Sequence, residues 1–220
     1  MDQIDDKLTQ LANQGAIFYV NSSGGKDSQM TFLKVARLVP REQIQVVHAD
    51  LGEMDWPDLP AHIEATSGAK PAIVKSHWDF FDLVVHRRRW PSPKMRYCTS
   101  DLKRGPIAKF IRSDMRQRNA TTAVNCIGIR RQESTKRATM QPFGLNNALT
   151  IQSRTVYTAM PIFDMTTAQV FDGISAAGQS PYQAYDRGSH RVSCVICIMG
   201  CAQDLKLERY DFRLKHIPSS

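Results

Sequence analysis

Apolar residues along the chain fall into two alternating rhythms. Short apolar-rich runs at 16–20, 44–49, 72–74 and 122–127 have the length and β-branched content of strands covered on both faces. Between them, 26–39, 59–67, 80–88 and 106–118 carry apolar residues at helical spacing. Strands alternating with helices predict an α/β fold built on a parallel sheet with helices on both sides. In such sheets ligands bind beyond the carboxyl ends of the strands. Residues 2–14 read as a short amphipathic lead-in helix with Ile4, Leu8 and Leu11 on one face. The periodicity lapses at 132–155, a polar stretch with Pro142, Gly144 and an Asn pair, which reads as a loop or insertion over the site. A helix is expected at 166–177, capped by Thr166 and closed by Gly178. Residues 180–200 read as irregular and 201–216 as a final charged helix. No linker divides the chain, so 1–220 is expected to be a single domain, with 1–15 as lead-in and 180–220 as a cysteine-rich C-terminal segment.

Length and charge narrow the picture. At 220 residues the chain suffices for one well-packed domain. Its formal net charge of +8 favours polyanionic partners, nucleotides or nucleic acids. No apolar run is long enough for a membrane span, and the acidic start at Asp2, Asp5 and Asp6 is unlike a signal peptide, so a cytoplasmic location is expected. Of the five cysteines, Cys194, Cys197 and Cys201 fall within eight residues. That clustering argues for metal or redox chemistry over a disulfide framework.

The most informative stretch is Ser22-Ser23-Gly24-Gly25-Lys26-Asp27-Ser28, which lies between the first strand and the first long helix. Glycines let the backbone turn tightly and approach a ligand, and a helix start offers unpaired N–H donors and partial positive charge. Such a corner suits a phosphate or pyrophosphate. Ser23 and Ser28 add hydroxyls, and Lys26 adds a positive charge. A Walker A loop is excluded, because no glycine lies five residues before Gly25 and Asp27 follows the lysine. Asp50, at the end of the second strand in Asp50-Leu51-Gly52, suits a ribose, an adenine or a magnesium ion, or serves only as a helix cap. Gly128-Ile129-Arg130-Arg131-Gln132-Glu133-Ser134, with Arg137 beyond, places arginine forks at the end of the fourth strand, where they can grip phosphate or sulfate. His86-Arg87-Arg88-Arg89-Trp90 suits a nucleic-acid backbone with a base stacked on Trp90, or a solvated helix end. Cys98 is the natural distant companion of Cys194, Cys197 and Cys201. Four thiols fit a [4Fe–4S] cluster or a structural zinc, with free or catalytic thiols as the remaining choice. Cys126 lies inside an apolar strand and reads as a core thiol.

Taken in order, Ser23-Gly24-Gly25-Lys26-Asp27-Ser28, Asp50-Leu51-Gly52, Arg96-Tyr97-Cys98 with Lys103, Gly128 to Ser134, Pro161-Ile162-Phe163 and Arg191 to Cys197 resemble the phosphoadenosine-phosphosulfate (PAPS) reductase family of PP-loop, adenine nucleotide alpha-hydrolase-like proteins. The likeness runs from about Ala16 to Cys201. It implies a five-stranded, mainly parallel sheet with an adenine nucleotide, ATP or PAPS with Mg²⁺, across its carboxyl edge. By position, Ser23, Gly24, Gly25, Asp27 and Ser28 would hold phosphates, with Asp50 near the nucleoside and Gly128 beside the nucleotide. Arg130, Arg131 and Arg137 would clamp phosphate or sulfate, and Lys26, Asp27, Arg130 and Arg131 form the implied catalytic set. Cys98, Cys194, Cys197 and Cys201 would ligate a [4Fe–4S] cluster. Sulfonucleotide reductases carry a catalytic cysteine in a C-terminal tail, whereas residues 213–220 contain none, and Tyr97 precedes Cys98 where assimilatory adenylyl-sulfate reductases have a Cys-Cys pair. The arrangement looks closer to the branch that includes the sulfur-inserting ATPase of DNA phosphorothioation. The implied activity is ATP pyrophosphatase chemistry in sulfur transfer, with a nucleic acid and a sulfur-donor protein as partners and a homodimer left open. A sulfonucleotide reductase releasing sulfite and a non-catalytic nucleotide- or DNA-binding module are the alternatives.

Overall fold

The computed structural model describes residues 3–192, 194–195 and 197–206. Its elements follow the order α1 (Gln3–Asn13), β1 (Ile17–Asn21), α2 (Lys26–Ala36), β2 (Ile44–Asp50), α3 (Leu59–Ser67), β3 (Ala72–Lys75) and α4 (Phe80–Arg87). There follow α5 (Tyr97–Thr99), a π-helical stretch Ser100–Arg104, α6 (Gly105–Gln117), β4 (Thr122–Cys126), α7 (Thr135–Ala138), β5 (Phe143–Leu145), β6 (Thr155–Ala159) and α8 (Thr167–Ala176). One further helical turn spans 202–206, and the rest of the predicted terminal helix lies outside the described residues.

The strands form one sheet in the order β3-β2-β1-β4-β6-β5, parallel throughout except for β5, which runs antiparallel to β6. The expected α/β class with a mainly parallel sheet is what is found, with six strands in place of five. Side chains on β1 alternate between the two faces. Phe18 and Val20 pack with Leu8 of α1 and with Phe32 and Val35 of α2. Tyr19 faces the opposite way, into a cluster with Ile111 and Met115 of α6. All of these are buried, and each contributes on the order of 1.5–3 kcal/mol of apolar burial. The Tyr19 hydroxyl donates to Asp114 Oδ2 at 2.8 Å, which ties the central strand to α6.

The predicted loop at 132–155 is more structured than its composition implies. It holds α7, β5 and a bridge between Ile151 and Arg154, and it leads directly into β6. β5 has only three residues, too few to show a period, and β6 mixes threonines with Val156 and Tyr157 in a strand whose pairing with β4 is set by the sheet. The first long helix ends at Ala36, three residues before its predicted end.

The chain leaves β1 toward β2 on one side, while β4 lies on the other side of β1. This reversal opens a crevice at the carboxyl ends of β1 and β4. Asn21, the last residue of β1, bridges it by donating to Asn125 Oδ1 at 2.6 Å and to the Cys126 carbonyl at 3.1 Å.

Candidate functional site

A cleft of about 500 Å³ occupies that crevice. Its floor is the 21–28 turn, one wall is the 128–137 segment after β4, and Tyr185, His190, Arg191, Val192 and Cys194 form the ceiling. Gly24 adopts φ +71°, and a Cβ there would lie 2.2 Å from Leu59 Cδ2, so the first glycine is required both for its backbone conformation and for space. Gly25 caps α2 without a side-chain acceptor. The first turn therefore keeps orphan N–H groups facing a space where an anion can accept them. The Lys26 amide is already taken, donating to the Tyr185 hydroxyl at 3.0 Å. Ser28 Oγ is held inside the turn, donating to the Gly25 carbonyl at 2.8 Å and accepting from the Ser23 amide at 3.2 Å.

Gly128 brings the second wall close. A Cβ at this position would lie 2.9 Å from the Asp27 carbonyl carbon and oxygen, so only a glycine lets the strand-four turn lie against the start of α2. The next residues exploit that approach. Arg130, 4% exposed, donates from Nε to Asp27 Oδ1 at 2.7 Å, and its Nη1 donates to Gln132 Oε1 and to the Met165 carbonyl. Glu133 accepts the Arg130 amide at 2.9 Å and also pairs with Arg137.

The sequence-selected residues thus separate into groups. Ser23, Gly25, Lys26, Asp27, Ser28, Gly128, Arg130 and Arg137 line the cleft, and Gly24 supports its floor from behind. Lys26 is not a mobile cation. Its side chain is 4% exposed, with Nζ donating to the His190 carbonyl at 3.1 Å, 3.3 Å from Asp27 Oδ2 and over the Tyr185 ring. Arg131 lies outside the lining, exposed and paired with Asp164 at 2.6 Å. Asp50 also lies outside it, where it accepts the Gly52 amide at 2.7 Å and sits 3.9 Å from Lys75 Nζ.

Sequence reasoning did not anticipate Tyr185 or the His48–Asp55 pair. The Tyr185 hydroxyl accepts the amides of Lys26 and Val192, fastening the ceiling to the floor. Burial pushes its pKa up to about 12, against the lowering effect of those two bonds. His48, buried at the cleft wall, places Nδ1 2.9 Å from the Ser22 carbonyl and Nε2 3.4 Å from Asp55. Burial depresses its pKa, but the bonds to Asp55 and Ser22 and the charges of Asp55 and Asp50 outweigh that effect and hold it above the ordinary 6.5. A histidine in an apolar-rich strand gives no signal of this kind. The partner carboxylate comes from a separate turn.

Beside the cleft lies a smaller cavity of about 70 Å³. Cys98, from α5, and Cys194 and Cys197 share its wall with an apolar shell that includes Leu51, Met54, Phe80 and Leu102. Cys194, Lys103 and Arg191 line both spaces, so the two meet at a common boundary. The Cys194 thiol pKa is pushed well up, first by its hydrogen bond with Cys197 and then by burial, while Lys103 pulls the other way. Cys201 is outside this wall and lies 3.6 Å from His190 Nδ1. Cys126 is fully buried in the sheet, where burial raises its pKa. These three thiols share one cavity wall beside Lys103 and Arg191, but they are not gathered as a set within 4.8 Å of one another. The fourth thiol of the sequence pattern is directed elsewhere.

Comparison with known proteins adds kinship to this geometry. A family model described as the phosphoadenosine phosphosulfate reductase domain matches residues 17–199. An uncharacterised 37.8 kDa protein of Escherichia phage 186, from the gpa 5′ region, is 31% identical over 120 residues, covering 54% of this chain and 34% of the phage protein. The chain therefore spans well under two thirds of that relative's length. Among solved structures, phosphoadenylyl-sulfate (PAPS) reductase from Candida auris, in a phosphate complex, superposes with a TM-score of 0.57 at 12% identity, covering 88% of this chain and 89% of that one. Candida glabrata FMN adenylyltransferase, in complex with FAD and inorganic pyrophosphate, gives a TM-score of 0.51 at 15% identity over 88% of this chain and 62% of that one. At these identities both show a shared fold.

Proposed function

The chain belongs to the phosphoadenosine phosphosulfate reductase domain family, and from that membership we propose that its cleft binds an adenine nucleotide and serves ATP pyrophosphatase chemistry in sulfur transfer. The supporting observation is the shared boundary, where Cys194, Lys103 and Arg191 line both the nucleotide-sized cleft and the thiol cavity. A group activated on the nucleotide would meet sulfur chemistry there without crossing bulk solvent. In this reading the phosphate chain lies along the 23–28 turn, and a substrate oxygen attacks the α-phosphorus of ATP. The bond to the bridging oxygen breaks and pyrophosphate leaves. Orphan amides of α2, Arg130 and Arg137 stabilise the negative charge that develops. Asp27 keeps the Arg130 fork in place, and Lys26 holds the ceiling down through His190. Asp27, Asp55 and Glu133 are each engaged by a basic side chain, so Mg²⁺ is expected to arrive with the phosphates. Candida glabrata FMN adenylyltransferase, which shares the fold, was crystallised with FAD and inorganic pyrophosphate.

Cys98, Cys194 and Cys197 are the residues that would hold a [4Fe–4S] cluster, which supplies electrons or sulfide when bound. The residues around it set its environment: Lys103 and Arg191 bring positive charge to its edge, and the apolar shell limits water. The exposed run Arg87 to Trp90 suits a nucleic-acid acceptor, with Trp90 about half exposed and edge-on to Phe80. A sulfur-donor protein, a homodimer and a cytoplasmic setting complete this reading. No helix among the described residues is long and apolar enough to cross a membrane.

A second reading, sulfonucleotide reduction, is favoured by Cys194 itself, a thiol already on the cleft wall. Its raised pKa weakens it as a nucleophile at neutral pH. The two readings separate when anaerobic protein is incubated with ATP or with PAPS and a dithiol reductant and the products are identified by mass spectrometry. Pyrophosphate with an adenylylated product supports the first reading. Sulfite with adenosine bisphosphate moves the assignment to the reductase. Nucleotide binding without either product leaves a binding module.

A further inference from the structure

Cys201 is drawn into the thiol cluster by sequence spacing, yet it sits in other company. Its Sγ is 3.6 Å from His190 Nδ1, the same Nδ1 is 3.6 Å from Asp204 Oδ1, and one ligand atom from each residue falls within 4.8 Å of the other two. We propose that His190, Cys201 and Asp204 form a separate site for one divalent transition-metal ion, best suited to Zn²⁺. This proposal stands apart from the reading of the nucleotide cleft.

The separations have the right scale. Zn–S bonds of about 2.3 Å and Zn–N or Zn–O bonds of about 2.0–2.2 Å at tetrahedral angles place neighbouring donor atoms roughly 3.3–3.6 Å apart. One thiol, one imidazole and one carboxylate also form a donor set of the kind zinc takes, and a three-ligand set leaves a fourth position for water. The site is partly prebuilt. Asp204 is 1% exposed, and its Oδ1 accepts the His190 amide at 2.8 Å, while the Asp204 amide donates to Cys201 Sγ at 3.4 Å. A buried carboxylate thus carries the exposed imidazole and thiol on either side of it. The outward faces of His190 and Cys201 give an ion a path in.

The consequence reaches the phosphate-binding turn, because the His190 carbonyl accepts the buried Lys26 Nζ. An ion on His190 Nδ1 would clasp the 190–204 segment and thereby fix the ceiling of the cleft. The purified full chain carrying Cys194→Ser, which removes one thiol of the neighbouring cavity, should on titration with cobalt(II) bind one ion showing a thiolate-to-cobalt charge-transfer band and the visible bands of a tetrahedral centre, displaced by Zn²⁺. Adding His190→Gln or Cys201→Ser to that variant should weaken the binding by roughly tenfold or more. His190 is exposed, so its substitution tests the site even where Asp204→Asn, at a buried position, fails to fold. Cobalt binding that is absent from the Cys194→Ser chain, or unchanged when His190→Gln is added to it, overturns the proposal.

Discussion

Arg130 is as buried as the core apolar residues and carries a full charge, so its partners decide what it can do. Asp27 neutralises its Nε, and Gln132 and Met165 take up Nη1, leaving a fork whose direction is fixed before any ligand arrives. Removing one member of a buried pair strands the other charge. Asp27→Ala should therefore cost toward the lower end of about 3–5 kcal/mol, Asp27 being partly exposed, and urea unfolding would measure it. The same change should lower pyrophosphate release from ATP by roughly 10²–10³-fold, and an unchanged rate would remove Asp27 from the catalytic set. Lysine in place of Arg130 keeps the charge but not the paired geometry, so it should not restore the fixed fork. The residue types at this site were legible in the sequence because glycine, serine, aspartate and arginine have few reasons to cluster at strand ends. Their engagements were not legible. That Lys26 is buried under Tyr185 depends on a residue far along the chain, which no local pattern reports.

Two turns carry the cleft, and each depends on how closely its elements approach. Gly128 sets the spacing between the turn after β4 and the start of α2. A methyl group there meets backbone that cannot rotate away, so Gly128→Ala should keep the sheet intact by circular dichroism. It should raise the dissociation constant for ATP about tenfold or more, as measured by calorimetry, since pre-positioned donors lose their value when displaced. The turn after β2 acts through charge. His48 has a pKa raised above its unfolded value, so the stabilisation from its protonated form is fully present below about pH 6.5 and is lost as pH rises through the folded value. Unfolding free energies measured from pH 5.5 to 8.5 should show this loss in the wild type and a much flatter profile in Asp55→Asn. Short elements explain the weaker part of the sequence reading at this scale. β5 is three residues long and β6 follows directly from a polar segment, so neither carries enough period to stand out until β4 offers β6 a partner and β6 offers one to β5. The longer alternation of buried strands and amphipathic helices was legible because each face has its own cover.

Across the whole molecule, the cleft and the thiol cavity act as neighbours with one common wall. A bound nucleotide would cover that wall at Cys194. ATP should therefore slow alkylation of Cys194 several-fold while leaving Cys201, exposed and outside the cleft lining, reactive, as read by peptide mass mapping. Equal protection of both thiols, or of neither, would contradict the placement. The net charge of +8 adds a field that draws anions toward the basic wall, and it makes the association rate fall as salt rises.

Tyr185 and His190, which meet Lys26 across 159 and 164 residues of chain, leave the ribosome well after the turn they cover. β1, β2 and β3 with their first helices can form while the chain is still growing, since these partners are close in sequence. The roof over the phosphate turn cannot. A nascent chain thus presents an open, unroofed turn until residues 185–190 emerge, and the site closes only after the first strands beneath it are made.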